Sequence, residues 1–332
     1  MTLPTVLLGD GLHTSAQGFG AMALTPVYGG IDQEDALRTL QHAVDVGVTL
    51  IDTANVYGEG TNEELIAGLL RERRDEVTLA TKFGIAGNPA AGESATRGDP
   101  DYVRQSIDES LQRLGTDHVD LYYLHRLDPA TPIEETVGAM AELVAAGKVR
   151  HLGLSEVTAD ELRRAHATHP IAAVQSEWSI WSRDVEAQVV PAAAELGVGF
   201  VPYSPLGRGF LTGTITALDS LDPDDFRRQI PRFAEGSFDQ NQVVAQGVAT
   251  VAAAVGASPA QVALAWLAAQ GRRFGLPVVP IPGTRRPERV DENAAAVEVP
   301  LGEDHLAALD ALVDVVKGSR SRYQGWVSTD RE

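Results

Sequence analysis

The 332 residues include 46 acidic and 27 basic side chains, a formal charge of −19, with a pI near 4.8. That balance argues against nucleic acid or an anionic membrane as the main partner. No cysteine is present, which excludes disulfides and thiolate metal sites, and no stretch approaches the ~18 uninterrupted apolar residues of a membrane span.

The opening, MTLPTVLLGDGL, lacks a basic n-region and meets Asp10 early, so a cytoplasmic location is expected. Residues 5–8 and 11–14, joined by Gly9-Asp10, read as a hairpin able to plug the bottom of a barrel. A strand at 16–22, a helix at 32–46 and a strand from Val48 follow. Helices at 62–73, 100–114, 133–146, 159–168 and 185–196 then alternate with strand-like runs at 77–81, 119–124, 149–154, 172–175 and 199–202. Such spacing requires parallel strands with helical crossovers. A last strand at 277–281 precedes a helix at 287–296, giving about eight pairs, the number that closes a barrel.

The expected fold is therefore α/β, a single (β/α)8 TIM barrel domain over 1–332 with an N-terminal β-hairpin, extra helices and long loops over the C-terminal face. The extra helices come from 243–270, broken at Gly256-Ala257-Ser258-Pro259, with Ser258 as N-cap and Pro259 at the first helical position. Residues 206–240 are too long and irregular for a plain connection and read as a lid. Residues 86–99 form a second long loop and 317–332 a polar tail.

The strand from Val48 delivers Asp52 to its C-terminal tip, and Tyr57 follows five residues later, before Gly58-Glu59-Gly60. Alone, the acid reads equally well as a turn cap and the phenol as loop packing. However, the run 76–82 ends in Lys82 and the run 118–125 in His125. Asp52, Tyr57, Lys82 and His125 thus stand at the tips of consecutive strands, where such a barrel builds its active site.

Gly18-Phe19-Gly20-Ala21-Met22-Ala23 fits the G-x-G-x-x-A dinucleotide pattern, but Pro26 and Gly29-Gly30 interrupt the helix that pattern requires, so this use is rejected. Better phosphate sites are YSPLGRG at 203–209 and IPGTRRPER at 281–289. In the second, glycine lets a ligand approach the backbone, Pro287 starts a helix whose free amides favour an anion, and arginines add charge. Both follow the last two strands, where barrels commonly bind phosphate.

The ordered set GFGAMAL, TLIDTANVYGEGTNEELI, ATKFG, DLYYLHR, GKVRHLGLS, QSEWSIWSRDVE, YSPLGRGFLTG and PIPGTRRPERVDEN resembles the aldo-keto reductase superfamily over nearly the whole chain. It looks like the longer-loop branch that includes potassium-channel β-subunit-like reductases. The resemblance implies NADPH-dependent reduction of aldehydes or ketones by a tetrad of Asp52, Tyr57, Lys82 and His125. Tyr57 would protonate the carbonyl oxygen as hydride arrives, Lys82 would lower the phenol pKa, Asp52 would hold Lys82, and His125 would orient the carbonyl.

The resemblance also implies NADP(H) extended across the mouth, with Gly20, Met22 and Gly283 beside it. Ser155 and Gln175 would bind the carboxamide, and Tyr203 would stack on the nicotinamide. Ser204, Pro205, Leu206, Gly207, Arg208 and Gly209 would hold pyrophosphate. Thr284, Arg285 and Arg289 would take the 2′-phosphate, and Glu292 and Asn293 the adenine. Two positions depart from the family. Glu156 replaces an asparagine, and a carboxylate cannot donate to the carboxamide oxygen. Gly283 stands where much of the family has lysine, a charge Arg285 can supply.

Tyr28, Phe83, Arg126, Trp178 and Trp181 are the expected walls of the substrate pocket, although aromatics in such places are as often core as substrate contacts. Arg126 either favours an acidic or polar carbonyl substrate or pairs with a loop carboxylate. The expected partner is a small-molecule carbonyl compound, with no nucleic acid and no membrane. A metal-dependent hydrolase is disfavoured because the eight histidines form no HxH or HExxH pair. The alternative function is an NADPH-binding regulatory or redox-sensor subunit with slow vestigial reductase activity.

Overall fold

The computed structural model of the chain describes residues 3–87, 95–323 and 325–332. β1 (Thr5–Leu7) pairs antiparallel with β2 (His13–Ser15). Their connection is longer than a two-residue turn. Leu8 N donates to Leu12 O at 2.8 Å, and the reversal falls on Asp10 and Gly11, at φ 54° and 76°. Gly9 N donates to Ala172 O at 2.9 Å, and a Cβ on Gly9 would lie 2.8 Å from that oxygen. Leu8 and Leu12 join Leu50, Ala80, Leu121, Tyr123 and Val201 in the cluster inside the barrel, so the hairpin plugs its bottom as expected.

β3 (Phe19–Gly20) is much shorter than the strand expected at 16–22, because the chain coils into a 3-10 turn at Ala21–Leu24. The glycines of the G-x-G pattern serve backbone packing. A Cβ on Gly20 would stand 2.7 Å from Ile281 O, and one on Gly283 would stand 2.2 Å from Gly20 O.

From there strands and helices alternate: α1 (Gln33–Asp45), β4 (Leu50–Asp52), α2 (Thr61–Arg73), β5 (Thr78–Phe83), a short antiparallel pair β6 (Ile85–Ala86) and β7 (Ala95–Thr96), and α3 (Pro100–Leu114). β8 (Val119–Leu124), α4 (Ile133–Ala145), β9 (Val149–Ser155), α5 (Ala159–Thr168), β10 (Ala173–Glu177), α6 (Val189–Leu196) and β11 (Gly199–Tyr203) complete the series. α6 begins later than the expected 185, after a separate 3-10 turn at Asp184–Glu186. Residues 88–94 of the expected second loop lie outside the described residues.

Seven of these strands form one parallel sheet in the order β11, β10, β9, β8, β5, β4, β3. The eighth stave, 277–281, is an extended segment without a regular ladder. It bonds to β11 through Phe200 N to Pro277 O, Val279 N to Phe200 O and Ile281 N to Pro202 O, and reaches the other edge through Gly18 N to Pro280 O at 2.9 Å. Pro277, Pro280 and Pro282 have no N–H to donate, which limits pairing to these contacts. The barrel is nevertheless closed, an α/β TIM barrel. Its strands bury both faces, with one apolar cluster inside and a larger one between strands and helices.

After the barrel, α7 (Ser237–Val255) starts before the expected 243, and Gly256 at φ 69° ends it. α8 (Pro259–Phe274) opens with the expected Ser258 capping box. α9 (Pro287–Ala294) tightens into a 3-10 turn at Ala295–Glu298, and α10 (Glu303–Asp310) was not anticipated.

Gly20→Ala tests the closure. Its methyl would meet the backbone of Ile281 and cannot be accommodated by a side-chain rotation, so a loss of about 1–3 kcal/mol is expected in urea unfolding. Gly138→Ala in α4, where nothing lies within 4 Å, should instead raise stability by a few tenths to about 1 kcal/mol.

Candidate active site

Side chains alternate along a strand, so the residues that end β4 and β5 choose the inside of the barrel by parity. Asp52 pairs in register with Ala80 and Lys82 with Tyr123, which puts the acid and the amine side by side. Lys82 is fully buried and Asp52 nearly so. Lys82 Nζ donates to Asp52 Oδ1, to Thr53 O at 2.8 Å and to Tyr57 Oη at 3.4 Å. Gln175 Nε2 donates to Asp52 Oδ2 at 2.9 Å, so the carboxylate is held from both oxygens.

Tyr57 reaches Lys82 because the turn Tyr57–Gly60 folds back on itself, with Gly58 and Glu59 in left-handed backbone. The ammonium lies 5.0 Å from the phenol ring centroid. The His125 ring meets Tyr57 edge-on, with centroids 5.8 Å apart. The four expected residues are therefore brought together.

Their electrostatics follow from burial. Desolvation raises the Asp52 carboxyl above its ordinary value, and Lys82 and Gln175 oppose the rise. Desolvation likewise raises the Tyr57 phenol, with Lys82 opposing, so the expected net lowering by Lys82 is corrected: burial outweighs the cation. His125 is pushed well below the usual imidazole range by burial, then by Arg126 and Lys82. At neutral pH the site therefore offers a protonated phenol and a neutral imidazole.

These groups open into a groove of about 880 Å³ over the C-terminal ends of the strands. Every residue expected at the cofactor, from Gly20 to Asn293, lines it except Gly207. Gly207 packs instead on Trp181, where a Cβ would stand 2.8 Å from the indole. Arg208 donates to Tyr28 Oη at 2.9 Å and lies over Phe226. Arg285 donates to Ala23 O and Gly30 O, and among the described residues its Nη2 is buried without a partner. The segment expected as a lid contributes Phe226, Arg227 and Ile230 to the walls.

Of the expected substrate walls, Tyr28 and Arg126 line the groove and three aromatics do not. Phe83, one residue beyond Lys82, faces the opposite side of β5 and stacks on Tyr122 at 4.9 Å. Trp178 packs against Phe200, Trp266 and Phe274 and donates to Glu186. Trp181 stacks on Phe210 at 4.8 Å. All three are core.

What the sequence reading missed is the tail. Residues 320–323, 326 and 327 line the groove, and Trp326 stands 5.9 Å from the Arg126 guanidinium. The anchor is Glu156, whose Oε1 accepts from Arg320 Nη1 and Tyr203 Oη, both at 2.8 Å, and from Glu177 N at 3.0 Å. Its Oε2 accepts from Arg320 Nη2 at 3.0 Å and Ser328 N at 3.1 Å. Arg320 also bonds Asp184 at 2.7 Å, and Arg331 holds the Glu156 carbonyl at 2.6 Å. Burial alone would raise the Glu156 carboxyl, but Arg320 overrides it and holds it at about 2. The carboxylate at this position is thus a tail clasp. The only sequence signal was Tyr323, Trp326 and Val327 interrupting a polar stretch.

A family model described as the Aldo/keto reductase family matches residues 17–314, and the chain belongs to that family. Solved structures agree. The thermostable aldo-keto reductase Tm1743, in complex with the inhibitor epalrestat, is 30% identical over 93% of this chain and 100% of its own, with a TM-score of 0.73. The glycerol dehydrogenase AKR11B4 from Gluconobacter oxydans is 27% identical over 96% and 98%, with a TM-score of 0.83. The aldo-keto reductase AKR11C1 from Bacillus halodurans, in its holo form, is 25% identical over 99% and 100%, with a TM-score of 0.78. Membership supports an oxidoreductase that uses a nicotinamide cofactor on a small carbonyl compound. No single helix among the described residues is long and apolar enough to cross a membrane.

The clasp gives a pH signature. Because the folded-state pKa of Glu156 is depressed, its stabilisation is fully present above the ordinary glutamate pKa and is lost as pH falls from 4.5 toward about 2. Arg320→Ala removes the counter-charge of a buried carboxylate and should cost about 3–5 kcal/mol at neutral pH. Urea midpoints measured from neutral to acid pH should show the gap between variant and wild type narrowing across that window.

Proposed function

We propose that the chain is an NADPH-dependent reductase of aldehydes or ketones, working as one barrel domain in the cytoplasm. The observation that carries this reading is the phenol of Tyr57 within hydrogen-bond reach of a fully buried Lys82 that Asp52 holds in place. A structural ion pair would not need a partly exposed phenol at its open end.

The groove fits the cofactor. Among the described residues Arg285 keeps a buried donor without a partner, and Arg286 and Arg289 lie with it at the start of α9. Arg285 and Arg289 would hold an adenosine 2′-phosphate, the basis for preferring NADPH to NADH. Bound nicotinamide supplies the hydride.

The residues then divide the work. His125, neutral, donates a hydrogen bond to the carbonyl oxygen and fixes its position. Tyr57, protonated at neutral pH, delivers its proton to that oxygen as charge develops there. Lys82 stabilises the phenolate left behind, and Asp52 with Thr53 O keeps the ammonium aimed. Water is excluded from Lys82 by the barrel walls.

Following NADPH oxidation with a panel of aromatic aldehydes and dicarbonyls tests this reading. Tyr57→Phe should lower kcat by about 10²–10⁴-fold while leaving NADPH affinity nearly unchanged, and wild-type reduction should hold level through neutral pH, falling only once the raised phenol deprotonates. Comparable activity in the variant would sink the assignment. Tight NADPH binding with a single slow oxidation and no sustained turnover on any substrate of the panel would favour the regulatory-subunit reading. Arg289→Ala should weaken NADPH binding by about tenfold or more and NADH binding much less; equal loss for both would move the 2′-phosphate elsewhere.

A further inference from the structure

The groove has a charge character opposite to that of the chain. Although the protein carries a formal −19, eight arginines line the groove against four acidic residues. Most of these arginines lie toward the adenosine and phosphate end. Arg126 does not: it follows His125 and stands where the carbonyl would sit.

Its guanidinium is half committed. Nη1 donates to His125 O at 2.6 Å and to Ser155 Oγ at 3.1 Å, which fixes the orientation of the plane. Among the described residues, Nε is buried without a partner and Nη2 makes no hydrogen bond. No described carboxylate forms an ion pair with Arg126. Glu156, whose carboxyl Arg126 helps to hold down, has both its oxygens taken by Arg320, Tyr203 and the backbone amides of Glu177 and Ser328. Among the described residues, therefore, Arg126 pairs with no loop carboxylate.

The open edge, Nε with Nη2, is the one that takes a carboxylate through two parallel hydrogen bonds. The Trp326 ring centroid lies 5.9 Å from the guanidinium carbon, and an apolar wall beside a charge contact lowers the local dielectric and strengthens that contact. A buried donor left unpaired is costly, so a ligand oxygen at Nε recovers that cost on binding.

We propose, on the reductase reading above, that the substrate is an oxo acid. It is a small aldehyde or ketone whose carboxylate docks on the Nε and Nη2 edge of Arg126 while Tyr57 and His125 engage its carbonyl oxygen. Arg126 then selects for a negative charge at a set distance from the reacting carbon, and Trp326 closes over the pair. The tail clasp at Glu156 and Arg320 keeps Trp326 in place.

The test compares aldehyde acids, 2- and 4-carboxybenzaldehyde and a short aliphatic series, with their methyl esters, which keep the shape and lose the charge. Wild-type kcat/KM should favour at least one acid over its ester by about tenfold or more. Arg126→Leu should lose about 10- to 100-fold on that acid, mainly through KM, and much less on the ester. Arg126→Lys should restore part of the loss. No acid preference in the wild type, or an equal loss on acid and ester, overturns the proposal. So does a matching rise in the NADPH dissociation constant of Arg126→Leu, because the side chain would then belong to the nicotinamide end. If no aldehyde of any kind is turned over, the reductase reading fails instead. The carboxylate site is then judged by titrating 4-(hydroxymethyl)benzoate into NADP(H)-loaded protein, where equal affinity for wild type and Arg126→Leu overturns it.

Discussion

A fully buried ammonium is the constraint on which the rest depends. Lys82 lies inside the barrel with no exposed surface, and an isolated charge there would cost several kcal/mol or give up its proton. Three groups prevent that: Asp52, Thr53 O and the phenol oxygen of Tyr57. Each comes from a different part of the strand 4 edge, and Gln175, from across the barrel, holds the far oxygen of Asp52. The closed barrel brings these groups together at one depth. The plug of Leu8 and Leu12 below, and the close approach of Gly20 to Ile281 at the seam, keep that depth fixed.

Where the reading of the sequence succeeded, the signal was local and periodic. Asp52, Lys82 and His125 end apolar runs of strand length, and parity along a strand decides which residue faces in. The same parity should have removed Phe83, the immediate neighbour of Lys82, from the pocket. Trp178 and Trp181 lie beyond the end of β10, where no period applies, and their partners Phe200, Phe210 and Trp266 are distant in the chain. The eighth stave was read correctly as extended, but its prolines leave it without a ladder. The direction of the Tyr57 shift was misjudged because proximity to Lys82 is visible in a motif and depth of burial is not.

Both departures from the family pattern have a visible cause: a side chain at Gly283 would collide with Gly20 O, and Glu156 is held by the tail. A non-glycine residue at φ 52° carries backbone strain, and Ser204 and Arg208 across the groove, at 49° and 56°, carry it too. A hydrogen-bonded shell holds Glu156 there. For Glu156 that shell is supplied by the tail and by Tyr203. The side chain expected to face a nicotinamide amide is turned into a tether, and Arg126, one strand away, is left facing the space.

The pairing of Arg320 with Glu156 spans 164 positions, which bears on the order in which the molecule can be assembled. β3 to β11 and the segment 277–281 close the barrel through contacts that do not involve residues 320–331. Closing a loop of that length is entropically unfavourable until both ends have rigid surroundings. The clasp therefore has a target only after the barrel exists. The barrel can hold its ammonium and its phenol before the groove has its final wall, which is added last.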